Sequence, residues 1–221
     1  MKVIVFGATG MVGQGVLREC LLDPDVSEVL VVGRSTTGRT DAKLRELVHR
    51  DLYDGSALGD ELTGYDAAFF CLGVSSAGMN EADYRRVTYD LTLAVARVLA
   101  ERNPAMTFIY VSGEGTDSTE SGRTMWARVK GQTENALLEL PFHAYMFRPG
   151  FIRPMHGERP KSRAYVVAYT LLRPLFPVAG RLLPNRSTTT ERVGRAMLRV
   201  AKSGYPVRIL PSTEINAAAT A

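Results

Sequence analysis

The stretch MKVIVFGATGMVG, residues 1–13, decides the fold. KVIVF (2–6) is a short β-branched run, the mark of a strand. Three glycines, Gly7, Gly10 and Gly13, follow it directly and open an apolar-periodic helix that runs to about Leu22. A tight turn between strand and helix needs a residue without Cβ, and the helix N-terminus offers unpaired N–H groups to a pyrophosphate. A third glycine lets helix and strand pack closely. Gly7, Thr9, Gly10, Met11, Val12 and Gly13 are therefore read as a pyrophosphate cradle, against the plainer alternative of a tight turn without a ligand.

Outward from this turn, strand and helix alternate. SEVLVVG (27–33) is the second strand, Asp41–Val48 reads as a helix, and VHRDL (48–52) reads as a short third strand. DAAFFCLG (66–73) is a buried fourth strand, and Asn80–Arg102 carries Val87, Leu91, Val95, Val98 and Leu99 at helical spacing. MTFIYVSG (106–113) is the fifth strand, Met125–Leu140 a helix stopped by Pro141, and FHAYMFRPG (142–150) the sixth strand. Such alternation implies an α/β fold, a Rossmann-type doubly wound parallel sheet covered on both faces. Residues 1–150 are expected to form the dinucleotide-binding core. Residues 151–221 should be a small C-terminal substrate or lid region packed on it, the whole a single compact unit. Within that region Thr188–Ser203 reads as an amphipathic helix capped by Thr190 or a neighbour, VRILP (207–211) as an edge strand, and NAAATA as a frayed tail.

The chain has 221 residues, 27 Lys+Arg against 23 Asp+Glu, and a formal net charge of +4. The total hides a division: residues 1–147 carry 14 basic and 20 acidic side chains (−6), and residues 148–221 carry 13 and 3 (+10). At 45% hydrophobic and 23% charged, the composition excludes a disordered chain or a disulfide framework. Cys20 and Cys71 have no metal-type spacing and read as buried, reduced thiols; His156 stands alone in a loop, so no metal site is expected. The N-terminal apolar run is too short for a secretory signal, which points to a cytoplasmic protein. Residues 165–184 are apolar, but Arg173, Arg181 and three prolines break the stretch before it reaches the ~20 apolar residues of a membrane span. That segment reads as a substrate lid, as a subunit contact in a homo-oligomer, or as a membrane-surface contact. No nucleic-acid-binding signature accompanies the arginines. A small-molecule substrate is expected, and the basic C-terminal third suggests an anionic one.

The end of the second strand chooses the cofactor. A carboxylate there would meet the ribose 2′-hydroxyl of NAD, but the sequence is VVGRSTTGR, with Arg34 in that place, Ser35 and Arg39 near it, and no acid until Asp41. An arginine pairs bidentately with a 2′-phosphate, so NADP(H) is the expected cofactor. Asp51 and Leu52, at the end of the third strand, are candidates to meet the adenine. Cys71, Leu72 and Gly73 end the fourth strand at the crevice where such sheets bind ligands.

GATGMVG, VVGRS, FFCLGVSSAG, FIYVSGEG, WARVKGQTENAL and FRPG occur in an order that resembles the short-chain dehydrogenase/reductase superfamily. The likeness is to its extended and atypical branch, in the oxidoreductase-like group that includes the Tat-interacting protein. The resemblance implies a serine after the fifth strand and a Tyr-x-x-x-Lys on the next helix. Ser112 and Lys130 match; Trp126 stands where the tyrosine would be. An indole N–H donates a hydrogen bond but is no general acid, and an acid–base group typically contributes about 10²–10⁴-fold. Ordinary carbonyl reduction should therefore be impaired unless another group substitutes. Tyr84, Tyr89, Tyr165 and Tyr169 lack the lysine spacing, and Glu114 and Asp117 lie in the loop after Ser112. Two readings follow: an NADP(H)-dependent oxidoreductase or isomerase with an altered active site, or a non-catalytic NADP(H) sensor or scaffold.

Overall fold

Among the described residues, seven parallel strands form the central sheet, in the order β3-β2-β1-β4-β5-β6-β9. They are β1 (Lys2–Phe6), β2 (Glu28–Gly33), β3 (Leu44–Val48), β4 (Ala67–Phe70), β5 (Thr107–Val111), β6 (His143–Arg148) and β9 (Ile209–Pro211). The computed structural model describes residues 1–53, 58–158 and 186–220. The strand order reverses between β1 and β4, which makes their carboxyl ends the crevice of a doubly wound sheet.

Side-chain alternation divides the core into two layers. Ile4, Phe6, Leu30, Val32, Phe70, Phe108 and Met146 face helices α3 (Leu91–Arg102) and α4 (Met125–Leu138). Val3, Val5, Val29, Val31, Phe69, Ile109 and Phe147 face α1 (Met11–Leu22), α5 (Thr190–Ser203) and α6 (Ser212–Ala218). Phe6 and Phe70 meet at 5.3 Å between ring centroids, and Phe108 stacks on Phe142 at 4.9 Å, so aromatics fill the first layer. Asn103, buried after α3, accepts from the N–H groups of Gly64 and Tyr65 and donates to the Leu62 carbonyl, fixing the entry to β4.

Several expectations change. Residues 41–48 are not helical and VHRDL is not the third strand: β3 is Leu44–Val48. It is an edge strand with one neighbour, so its outer positions carry charge, and Arg45 pairs with Glu28 and Glu61 across the exposed face. That charge density imitates a solvated helix in sequence. The 80–102 run is helical as expected, but α2 (Glu81–Arg85) passes through a π-helical turn, Arg86–Asp90, into α3. Asn80 caps it by accepting from Asp83 N–H. The tail, expected to fray, is helical through Ala218: α6 buries Ile215 and Ala218, and its Ser212 hydroxyl accepts from Gly150 N–H at 2.9 Å.

A second parallel pair, β7 (Phe151–Arg153) with β8 (Ser187–Thr189), was not evident from the sequence. Thr189 caps α5, accepting from Arg192 N–H. The expected edge strand at 207–211 is present as β9 beside β6. Residues 165–184, read as a lid, a subunit contact or a membrane-surface contact, lie outside the described residues. Among the described residues no helix is long and apolar enough to cross a membrane.

Candidate functional site at the carboxyl edge of the sheet

The glycine turn lies against the end of β4. Gly7 has φ +80°, and a Cβ there would come within 2.8 Å of the Cys71 carbonyl and Leu72 nitrogen. At Gly13 a Cβ would sit 2.2 Å from the Gly7 carbonyl oxygen, so α1 starts in direct contact with the turn that precedes it. The turn is closed by Gly10 N–H donating to the Gly7 carbonyl at 2.9 Å, and Gln14 Nε2 donates to the Thr9 carbonyl. Gly10 is the N-cap of α1 and no side chain caps its first turn, which holds no acid. Met11 and Val12 are thereby presented, half-buried, at the point where the strand order reverses.

Arg34 and Ser35 follow β2 at the same edge and are exposed. No ion pair holds Arg34 among the described residues. A carboxylate that sequence reasoning did not consider, Glu46 on β3, reaches this loop, where it accepts from Thr37 N–H at 2.6 Å. Asp51 lies three residues beyond the end of β3; its carboxylate accepts from Tyr53 N–H, while the Leu52 side chain is buried in the core. Cys71 N–H continues the ladder by donating to the Phe6 carbonyl, and burial pushes its thiol up to about 12. Leu72 is half-buried. Gly73 is exposed, with nothing within 4 Å of where a Cβ would be. Packing therefore gives no reason for glycine at 73, and the space beside it is open.

The second cluster joins β5, α4 and β6. Ser112 is buried, and its hydroxyl donates to Glu134, with the Phe147 carbonyl 3.2 Å away. Glu134 is wholly buried and also receives Arg148, whose Nε lies 3.1 Å from both carboxylate oxygens. Lys130, one helical turn before Glu134, donates to the Ser112 backbone carbonyl and lies 5.8 Å from the centre of the Tyr110 ring. Burial brings the Lys130 amine down to about 8, with the Glu134 charge opposing the shift. Trp126 is half-buried on the same side of α4 as Lys130, with the benzo edge of its indole against Gly115, where a Cβ would come within 3.3 Å. Ser112 and Lys130 are thus brought together, but the serine hydroxyl turns inward to Glu134. Sequence reasoning missed Glu134; its i,i+4 spacing from Lys130 was the available signal.

The candidate proton donors are dispersed. Tyr84 is buried, and Tyr89 lies under the Arg85 guanidinium at 4.0 Å. Tyr165 and Tyr169 fall outside the described residues. Glu114 pairs with Arg186 at 3.2 Å. Asp117 accepts from Thr119 and from Gly122 N–H, and these bonds hold its carboxyl below the usual range, the opposite of what a general acid needs. His156 meets Glu191 at 2.8 Å, and no metal-type cluster occurs among the described residues.

Comparison with known proteins gives this geometry its family. Residues 3–123 match the model of the NAD dependent epimerase/dehydratase family. The mitochondrial protein FMP52 of Eremothecium gossypii is 27% identical over 220 residues, 97% of this chain and 96% of that one. The rat protein HTATIP2 is 29% identical over 155 residues, 68% of this chain and 62% of that one. Among solved structures, Bordetella bronchiseptica WbmF in complex with NAD+ and UDP superimposes with a TM-score of 0.70 at 17% identity, over 99% of this chain and 77% of that one. The expectation of a cytoplasmic protein does not stand, because FMP52 relatives are mitochondrial by name. A secretory signal serves one route only; organelle targeting uses different segments. The matched family model, the parallel sheet and the glycine turn at its crevice agree, and the chain belongs to the NAD dependent epimerase/dehydratase family within the short-chain dehydrogenase/reductase superfamily.

Proposed function

We propose that the protein binds NADP(H) and is an oxidoreductase or isomerase whose active site has been altered at Trp126. One observation carries the reading: the α1 N-terminus, with no side-chain cap, and Arg34, which has no ion pair among the described residues, stand at adjacent strand ends, β1 and β2, beside the crevice. The turn from Gly7 through Gly13 would hold the pyrophosphate, with Thr9, Met11 and Val12 on its rim. Arg34 and Ser35 would take the 2′-phosphate, and Asp51 and Leu52 would border the adenine. Cys71, Leu72 and the open space at Gly73 would line the approach to the nicotinamide. NADP(H), when bound, supplies or accepts a hydride.

Lys130 would hold the nicotinamide ribose, a contact that needs no tyrosine. Ser112 would fix the end of β5 through its two bonds, and Trp126 would wall the site without exchanging a proton. The substrate would be a small anion, a reading supported by Arg153, an exposed cation at the end of β7, and by the UDP in the WbmF complex. A second reading, a non-catalytic NADP(H) sensor or scaffold, is favoured by Trp126 itself.

Turnover separates the two. Wild-type protein is expected to oxidise NADPH slowly across a panel of carbonyl and nucleotide-sugar substrates. Trp126→Tyr should raise that rate by about 10²-fold, the lower end of what a general acid contributes. Rapid wild-type oxidation would mean that another side chain supplies the proton. A flat response in both proteins would favour the sensor.

A further inference from the structure

Lys130 and Glu134 are four residues apart and share one face of α4. Glu134 is wholly buried, a position where a carboxylate is strongly disfavoured unless it is paired. It is paired from two elements. The Ser112 hydroxyl at the end of β5 donates to Oε1, and Arg148 at the end of β6 donates through Nε to both oxygens and through Nη2 to Oε2. The carbonyl of the same Ser112 accepts the Lys130 ammonium. One residue is therefore held at its side chain by Glu134 and bonded at its backbone by Lys130.

We infer that Glu134 is a positioning residue for Lys130: by gripping Ser112 against Arg148 it fixes the carbonyl on which the ammonium rests, and its charge keeps that amine protonated. The functional meaning rests on the reading of Lys130 as the ribose-binding lysine. Among the described residues, no other group named against Lys130 supplies this anion. Tyr110, on β5, presents its ring, and burial pushes its phenol up, so it is neutral; Tyr84, from α2, is a second buried phenol beside it. Arg148, on β6, carries the same sign as the lysine. Glu114, in the loop after β5, is paired with Arg186. Glu134 is the anion that opposes the effect of burial on the lysine.

The test reads the amine directly, on the full chain without dinucleotide. The rate at which an amine-selective acylating reagent modifies Lys130 is followed against pH by peptide mass spectrometry. The wild-type midpoint is expected at about 8. Glu134→Gln keeps the size and an acceptor oxygen but removes the charge, and should lower the midpoint by about one unit, the low end of the effect of a neighbouring charge. Ser112→Ala cuts the link alone and should lower it by less, in the same direction. An unmoved midpoint in folded Glu134→Gln overturns the inference; if that variant does not fold, an unmoved midpoint in Ser112→Ala does. Circular dichroism of each variant checks that the midpoint is read from folded protein. NADPH takes no part in the measurement, so failure of the protein to bind NADPH would overturn the cofactor reading and leave this one standing.

Discussion

On the proposed role of Lys130 at the nicotinamide ribose, a side chain is kept for a ligand at a cost to the fold. Its amine is brought down to about 8 from an ordinary value of 10.5, so the folded protein holds that proton more weakly than the unfolded chain. Below pH 8 both states are protonated and the full penalty of a buried ammonium applies. As pH rises from 8 through 10.5 the folded state is already neutral while the unfolded chain is still losing its proton, and the penalty disappears. Lys130→Met should therefore stabilise the protein at pH 7, by about 1–2 kcal/mol once the lost Ser112 contact is deducted. Denaturant melts at pH 7 and pH 10 should show that gain shrinking at the higher pH. A constant or growing gain would mean that the amine is not held below its ordinary value. The lysine and the tryptophan were legible from a four-residue spacing alone. The inward turn of the Ser112 hydroxyl was not, because its partners, the Glu134 carboxylate and the Phe147 carbonyl, are 22 and 35 residues away and reach it only through the packing of three elements.

At the scale of elements, the buried strands were the easiest to read. β1, β2, β4, β5 and β6 are short runs of β-branched and aromatic residues buried on both faces, and nothing else explains such runs between turn signals. β3 failed for the converse reason. With one neighbour and no fully buried position it carries Arg45 and Glu46, and its apolar positions fit a short helix as well as a strand. The β7–β8 pair failed because three-residue strands joined across 33 intervening residues leave no local pattern. Helix α5 was legible in its apolar periodicity, and its cap, expected at Thr190 or a neighbour, is Thr189. Thr189→Ala removes the acceptor for Arg192 N–H and should cost about 1 kcal/mol, or about 2–4 °C in Tm for a chain of this size. Thr189→Ser should recover most of that loss. If both substitutions are silent, the α5 terminus is not held by its cap.

For the whole molecule, the charge division acquires a second use. Cations of the basic C-terminal part pair with acids of the acidic part: Arg148 with Glu134, Arg186 with Glu114, Arg195 with Glu19, and Lys202 with Asp23 and Asp25. Four of the 13 cations of that part are thus engaged in docking the C-terminal elements onto the sheet, and an anionic substrate, on the proposed reading, would meet exposed arginines such as Arg153. The same docking brings β9 into the sheet beside β6 and lays α5 over α1, so the region after 150 helps to build the core. Beside this frame the open edge of the sheet holds the cradle and Arg34, and cofactor choice is the property on which the account depends. Fluorescence titration of the purified protein with NADPH and with NADH tests it most directly. Each charge-assisted bond to the 2′-phosphate is worth roughly 1.5–3 kcal/mol, so NADPH should bind at least about tenfold more tightly, and Arg34→Ala should erase that difference while sparing NADH. Equal affinities in the wild type, or a preference for NADH, would contradict the account.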